Sequence, residues 1–273
     1  MKQSNQWANP NTASAENVSG MVHQLEDRAR RPDQQMVNAA LIQELRPAAG
    51  ELLLDVGSGT GVLARLAAPK LGLDGKMVGI DISLAMSQAA WQFSQEAAFI
   101  DSTVFSVGQA EHLPYQEGIF DGAFAARLLL HVQDPQQVVR EMARVVKPSG
   151  RVVVMDWDFE TVVVDSADRE LSRRVLHWRT DHLGGDNWIG RKLWRLMAQA
   201  GLTHLAIHPF VSIAQGEEDS LTQSLWRAAQ GARENGIISP EEHEAWTRGL
   251  KRAIARGHFF ASIVYFIVWG QKD

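Results

Sequence analysis

The sequence of 273 residues contains no cysteine. This absence excludes disulfides, thiolate metal sites and a cysteine nucleophile. A long hydrophobic run is also missing, because the apolar stretch at residues 259–269 is shorter than the ~20 residues that cross a bilayer. Residues 1–11 are polar and lack the apolar centre of a signal peptide. We therefore expect a soluble, cytoplasmic protein with no integral membrane segment.

The sequence also contains fewer basic than acidic residues. The 27 lysines and arginines are outnumbered by 32 acids, which gives a formal charge of −5, and the two signs are interspersed. A basic face for a nucleic-acid backbone is therefore not expected, and we predict no nucleic-acid partner. Tyrosine occurs twice and tryptophan nine times. Several tryptophans lie outside the predicted sheet, where they are candidates for the walls of an apolar pocket.

The rest of the chain is organised around residues 52–61, which read Leu-Leu-Leu-Asp-Val-Gly-Ser-Gly-Thr-Gly. A short apolar run that ends in glycine is typical of a buried parallel strand followed by a tight turn. Glycines at 57, 59 and 61 allow positive φ and have no Cβ, so a ligand can lie against the backbone amides. Apolar residues at helical spacing follow. The stretch predicts a strand, a glycine loop and a helix that together bind a nucleotide.

The glycine spacing distinguishes two kinds of nucleotide site. A dinucleotide fingerprint requires Gly-x-Gly-x-x-Gly, and here Val62 stands where its third glycine belongs. The stretch instead resembles motif I of the class I S-adenosylmethionine-dependent methyltransferases. That resemblance implies S-adenosylmethionine as cofactor, and it assigns contacts with the cofactor to the following residues: Asp55, Gly57, Ser58, Gly59 and Gly61.

Asp81 ends a second predicted strand, about twenty residues beyond the glycine loop. This is the spacing of a carboxylate that accepts the ribose hydroxyls, a role that serves NAD and S-adenosylmethionine equally. The other interpretation is an N-cap for the helix that starts near Leu84. The family resemblance also implies that Ile82 and Met86 lie on the adenine face.

Residues 108–114 resemble the family segment Gly-Asp-Ala-Glu-x-Leu-Pro, in which the acid accepts from the adenine amino group. This chain has Gln109 at the acid's position. A glutamine carbonyl accepts the same hydrogen bond without the contribution of charge. We expect the contact to be kept, with Ala110 supplying a backbone amide.

Residues 120–135 resemble the fourth strand and following turn of ubiquinone, menaquinone and secondary-metabolite methyltransferases, with their Phe-Asp…His-Val-x-Asp-Pro ending. This resemblance implies that the small Ala126 admits the methionine part of the cofactor. We expect Arg127 to lie at the mouth of the site and to bind the methionine carboxylate or an anionic substrate; the alternative is a solvated surface arginine. His131 is a candidate general base, and a hydrogen bond within the scaffold is the alternative.

Candidates for the acceptor pocket follow the fifth strand, because ligands of open α/β sheets bind beyond the carboxyl ends of the strands. Asp156, Trp157 and Asp158 are the first of them. Two acids this close together could also bind a metal, as in catechol methyltransferases. The other parts of that family's metal pattern are not evident, so we predict no metal. Residues 158–200 resemble the helical insertion that covers the acceptor in small-molecule methyltransferases. It contributes Trp178 and Trp188, whereas periodicity does not choose among His177, Arg179, Asp181 and His182.

Together these patterns predict a Rossmann-like α/β fold with a seven-stranded, mostly parallel sheet, an antiparallel last strand beside the sixth, and a helical lid. We expect a flexible stretch over residues 1–15 and a single domain over 16–273, with lid helices at 16–46. The predicted activity is direct transfer of a methyl group from S-adenosylmethionine to a small, aromatic or hydrophobic metabolite. An NAD-dependent oxidoreductase and a non-catalytic S-adenosylmethionine-binding protein remain alternatives. The protein is expected to be a monomer or a homodimer.

Overall fold

A computed structural model describes Trp7 and residues 15–97, 100–182 and 184–273. In these residues seven strands form one sheet in the order β3-β2-β1-β4-β5-β7-β6. The strands are β1 (Leu52–Val56), β2 (Lys76–Asp81), β3 (Thr103–Val107), β4 (Phe120–Ala126), β5 (Val146–Val164), β6 (Thr203–Ala214) and β7 (Ala261–Gln271). Strands β1 to β5 are parallel, and β7 runs antiparallel between β5 and β6. The predicted sheet is confirmed.

Helices cover both faces of the sheet. They are α1 (Ala15–Arg30), α2 (Pro32–Leu45), α3 (Val62–Ala67), α4 (Leu84–Glu96), α5 (Pro135–Val145), α6 (Arg169–His182), α7 (Ile189–Gln199), α8 (Ser220–Glu234) and α9 (Pro240–Ala255). Short 3-10 turns occupy Ala68–Leu71 and Ile100–Ser102. None of the helices in the described part of the chain is long and apolar enough to cross a bilayer.

The core is divided by the sheet into two layers. One layer contains apolar side chains of α2, α6, α8 and α9, and the other contains those of α5 and α7. Helix α2 packs one face against the core, where Val37, Leu41 and Leu45 are buried, whereas Met36 is exposed. In α1, by contrast, Met21 is the buried hydrophobic side chain among the described ones. The predicted flexible stretch 1–15 lies outside the described residues except for Trp7 and Ala15.

Strand β5 is longer than the sequence pattern predicts. The prediction placed Asp156 beyond the end of this strand and began the helical insertion at residue 158, yet the strand continues to Val164. The added length pairs with β7 through Val163 and Val164 after an irregularity that begins at Asp158. β-Branched residues favour this extension, because they pack well on a pleated surface. The helical part of the insertion is therefore α6 and α7.

Strand and helix ends place the polar residues at one edge of the sheet. The chain leaves β2 at Asp81 and enters α4 at Leu84, and the hydroxyl of the preceding Ser83 caps the helix by accepting from the Met86 amide at 3.4 Å. Asp134 caps α5 by accepting from the Gln137 amide at 3.0 Å. Since Ser83 caps α4, the Asp81 carboxylate is left at the end of its strand.

Candidate active site

A cavity of about 1790 Å³ opens beyond the carboxyl ends of the parallel strands. The glycine loop and the ends of β2 and β4 line one part of it, and helices α1, α6, α8 and α9 line the other. A second cavity of about 330 Å³ adjoins it, because Arg28, Trp157 and Arg179 line both. This is the edge at which open α/β sheets bind their ligands.

The glycine loop has the geometry that the sequence predicts. Gly57, Gly59 and Gly61 have φ angles of 72°, 52° and 75°. A Cβ at Gly57 would lie 2.7 Å from Cδ1 of Leu128, so a larger residue is excluded by space as well as by φ. The amides of Gly57 and Ser58 donate to the carbonyl of Ile80 at 2.8 and 3.0 Å. These bonds hold the loop against β2.

The Asp81 carboxylate lies against this loop. Its Oδ2 accepts from the Gly59 amide and its Oδ1 accepts from the Ser83 amide, both at 2.9 Å. A carboxylate oxygen has a second lone pair, so both oxygens remain able to accept from a ligand. Burial raises the pKa of Asp81, and the two backbone hydrogen bonds oppose that rise.

The predicted adenine-binding residues gather around Asp81. Ile82, Met86, Gln109 and Ala110 all line the larger cavity. The Gly108 amide donates to the Asp81 carbonyl at 3.0 Å, which joins the segment after β3 to the end of β2. Residues from two separate predicted motifs therefore form one wall.

Asp55 lies buried at the end of β1. Burial, and next the charge of Asp81, raise the pKa of Asp55 to about 8, while Arg127 opposes the rise. Oδ2 of Asp55, Oγ of Ser58 and Oγ of Thr60 are buried and make no hydrogen bond within the described residues. Buried polar atoms are costly without partners, so these atoms suit a polar ligand that lies along the loop.

Arg127 follows β4 in a backbone conformation that is unusual for a residue with a side chain, with a φ of 56°. Its amide donates to the Met155 carbonyl at 2.8 Å, and Nη2 donates to Oδ1 of Asn38 at 3.1 Å. Nε and Nη1 are buried and have no partner in the described chain. Burial lowers the pKa of Arg127, whereas Asp156 and Asp55 raise it. Arg127 is thus a cavity residue and not a solvated surface arginine.

His131 also lines the larger cavity, where its ring centroid lies 6.3 Å from that of Trp7. Burial, and next the positive charge of Arg28, lower the pKa of His131 to about 4. The imidazole is therefore neutral at physiological pH. A low pKa also makes it a weak proton acceptor.

The predicted acceptor residues on β5 point in two directions, because successive side chains of a strand face opposite sides. Trp157 faces both cavities and packs edge-on against Phe159 and Tyr265. Asp156 is fully buried beside the site and accepts from the amides of Leu130 and Trp157, both at 3.2 Å. Burial raises the pKa of Asp156 to about 7.

Like Asp156, three other candidates are not among the described residues that line either cavity. Asp158 faces α7, where its Oδ1 accepts from Nη2 of Arg191 at 2.9 Å. Trp178 is buried against α8 and stacks on His182 with ring centroids 5.5 Å apart. Trp188 is exposed beside the guanidinium of Arg191. An ion pair, core packing and a surface contact account for their positions.

Several cavity residues lie on helices that the sequence predicts, but they are not among the predicted site residues. They are Leu25 and Arg28 on α1, Gln34 and Asn38 on α2, and Trp226, Arg227 and Lys251 on α8 and α9. Of the undecided candidates on α6, Arg179 lines the cavity. Periodicity indicates that these segments are helices, but the tertiary arrangement decides which end of each reaches the site.

Comparisons with known proteins point to one chemistry. A family model described as a methyltransferase domain matches residues 54–154. The chain is 31% identical over 248 residues to an uncharacterized 37.1 kDa protein of transposon TN4556 from Streptomyces fradiae, covering 90% of this chain and 68% of that protein. It is 36% identical over 116 residues to methyltransferase GfsG of Streptomyces halstedii, covering 42% of this chain and 41% of that one.

A further relative is the ubiquinone/menaquinone biosynthesis C-methyltransferase UbiE of Hahella chejuensis, which is 34% identical over 113 residues, or 41% of this chain and 45% of that one. The chain thus matches less than half the length of these two methyltransferases. Among solved structures, the YcgJ protein of Bacillus subtilis superimposes with a TM-score of 0.58 at 22% identity, covering 87% of this chain and 98% of that one. That likeness shows the fold.

Proposed function

The chain belongs to the class I S-adenosylmethionine-dependent methyltransferases, and we propose that it transfers the methyl group to a small aromatic or hydrophobic acceptor. The observation that carries the proposal is the continuity of the larger cavity. It runs from the glycine loop and Asp81 to the indoles of Trp157 and Trp226. S-adenosylmethionine whose adenosine lies at the glycine-loop end of the cavity presents its methyl carbon to an acceptor at the indole end. The quinone-pathway relative named above supports an aromatic acceptor.

In this proposal, different groups of residues bind the ribose, the adenine and the methionine part of S-adenosylmethionine. Asp81 accepts the ribose hydroxyls with the lone pairs that Gly59 and Ser83 leave open. The adenine lies between Ile82, Met86, Gln109 and Ala110. Asp55, the Ser58 hydroxyl and the backbone of Gly57 lie beside the methionine part, together with Ala126. The unpartnered polar atoms of the loop support this placement, since a polar ligand satisfies them.

When bound, S-adenosylmethionine supplies a methyl carbon that the sulfonium already makes electrophilic. The task of the protein is then to align the acceptor with that carbon and to exclude water. Trp157 and Trp226 provide flat apolar surfaces for alignment, and α1, α6 and α8 cover the cavity. In this proposal α1 is a lid and α6 with α7 is a cap. His131 takes a proton only from an acidic acceptor, because its pKa of about 4 makes it a weak base.

Transfer of labelled methyl from S-adenosylmethionine into a fractionated cell extract tests the proposal. The wild type is compared with Asp81→Asn and with the control Asp74→Asn, whose side chain is exposed in a turn. We expect label in the organic-extractable small molecules for the wild type and the control, and little label for Asp81→Asn. Label in protein or nucleic acid contradicts the acceptor class. Cofactor binding without any label supports the non-catalytic alternative. A cytoplasmic location and a monomeric or homodimeric state remain predictions.

A further inference from the structure

Four arginines line the smaller cavity, and they come from separate parts of the chain. Arg28 is on α1, Arg31 precedes α2, Arg179 is on α6 and Arg227 is on α8. Among the described residues that line this cavity, Asp33 is the one carboxylate. Its Oδ2 accepts from Nε2 of Gln34 at 3.1 Å. The cavity therefore carries a large excess of positive charge in a protein whose formal charge is −5.

Carboxylates of the described residues do not neutralise three of these four arginines. Within the described chain Arg28, Arg31 and Arg227 take part in no ion pair, although arginines elsewhere in the protein do. Arg179 is held in place instead, since Nη1 donates to Oδ1 of Asn187 at 2.9 Å. Its guanidinium lies 3.5 Å from the centroid of the Phe159 ring. Like charges kept close together cost stability unless an anion joins them.

The lowered pKa values of two arginines and two buried hydrogen-bond donors are consistent with the excess of positive charge in the smaller cavity. Burial, and next the charge of Arg127, lower the pKa of Arg28 to about 9, with Arg31 and Arg227 adding to the fall. Burial and then Arg227 lower the pKa of Arg179 to about 9. Two further donors that line this cavity, the Ser220 hydroxyl and the Trp157 indole N–H, are buried without a hydrogen-bond partner in the described residues. An anion with several oxygens satisfies such a set of donors.

The cofactor does not account for the cluster. Arg127 lines the larger cavity next to the glycine loop and is not among the described residues of the smaller one. Its buried, unpartnered Nε and Nη1 suit the carboxylate of the methionine part. The single carboxylate of S-adenosylmethionine is then used at Arg127. Arg28, Arg31 and Arg227 remain for another ligand, and Arg179, whose Nε and Nη1 donate to Ser224 and Asn187, adds its positive charge beside them.

We propose that the smaller cavity binds an anionic oxygen group of the acceptor, a carboxylate or a phosphate, through Arg28, Arg31, Arg179 and Arg227. The inference rests on the proposed methyl transfer and refines it. The aromatic rings of Trp157, Phe159 and Tyr265 line the same cavity, so the rest of the acceptor is apolar or aromatic. An acceptor held at its anionic end extends past Trp157 into the larger cavity, where the methyl group is offered.

Calorimetric titration without cofactor tests the anion site. The probes are inorganic pyrophosphate and benzoate, at constant ionic strength, so that the two arms separate a phosphate from an aromatic carboxylate. The test variant is Arg227→Gln, whose side chain is accessible to solvent, and the matched control is Arg233→Gln on the same helix. We expect wild-type protein and the control to bind at least one probe, and Arg227→Gln to bind it about tenfold more weakly.

The proposal is overturned if neither probe binds the wild type at millimolar concentration, or if both variants lose affinity equally. Titration with S-adenosylhomocysteine separates this result from the fate of the proposed function. Arg227→Gln should bind S-adenosylhomocysteine as the wild type does. If the wild type fails to bind it, methyl transfer is refuted while the anion titration still decides whether the arginine site exists.

Discussion

The substitution Asp81→Asn is the sharpest test of the cofactor site, because both carboxylate oxygens already accept a backbone hydrogen bond. Oδ2 accepts from Gly59 and Oδ1 from Ser83, each at 2.9 Å. An asparagine has one oxygen, so its amide nitrogen must face one of these two N–H donors. The variant therefore loses one contact that shapes the site, and the ribose hydroxyls lose the charged acceptor.

The expected loss follows from these contacts. A hydrogen bond to a charged group contributes about 1.5–3 kcal/mol, and a neutral one contributes about 1 kcal/mol. Losing one charged bond and weakening another costs about 3 kcal/mol, or about a hundredfold in Kd. The apolar contacts that we propose for the adenine at Ile82 and Met86 are unchanged in this variant, so we expect binding to be weakened and not abolished.

Calorimetry with S-adenosylhomocysteine measures the effect, with Asp74→Asn as the control for removal of an exposed acid. Thermal unfolding without ligand shows whether the variant has kept its fold. An affinity for Asp81→Asn within about threefold of the wild type would refute the reasoning, since hydrogen bonds to a charged acceptor contribute more than that factor. Asp81 would then be a residue that supports the loop and does not bind the ribose.

Three further predictions concern packing and protonation. Gly231→Ala should destabilise the protein by about 1–3 kcal/mol in denaturant unfolding, because the added Cβ would overlap the Trp178 ring. The matched control Gly249→Ala should stabilise the protein by about 0.5–1 kcal/mol, because its Cβ would point into open space. Burial raises the pKa of Asp156 from 3.8 to about 7, so its contribution to stability should fall as pH rises between these values. Burial also raises the pKa of Asp55 and of Asp81, so Asp156→Asn should make the fall smaller without removing it, as denaturant unfolding at several pH values measures. NMR titration should find the His131 ring neutral above its pKa of about 4; a titration near 6.5 contradicts its burial.

Local patterns were sufficient to predict the glycine loop and the carboxylate beside it, where we propose that the cofactor binds. The glycine spacing predicts a tight loop, and the loop indeed has positive φ at Gly57, Gly59 and Gly61. The distance along the chain from the loop to Asp81 corresponds to one crossover between neighbouring parallel strands. This places the carboxylate within hydrogen-bond distance of the Gly59 amide. Every step depends on residues near one another in sequence or on adjacent strands.

At the acceptor end of the proposed site, local sequence patterns do not predict which residues line the cavity. Trp178 and Trp188 belong to a segment that the sequence correctly predicts as largely helical, yet one packs in the core and the other is exposed. Strand β5 passes its predicted end because β7 offers it a partner, and this extension changes where the insertion begins. A strand's length depends on its neighbour, and a helix's buried face depends on what it packs against. Neither neighbour is visible in a local window.

The sequence by itself determined the order of strands and helices, the glycine loop and the acid that faces it, because these follow from periodicity and from short spacings. Only the tertiary structure decided that Arg28, Arg31, Arg179 and Arg227 line one cavity. In the sequence, Arg179 is one of several undecided acceptor candidates, and the other three are ordinary charged residues of a helix or a turn. Their shared position arises because α1, α6 and α8 pack over the same edge of the sheet, and the charge of a site is a sum over elements that are distant in the chain.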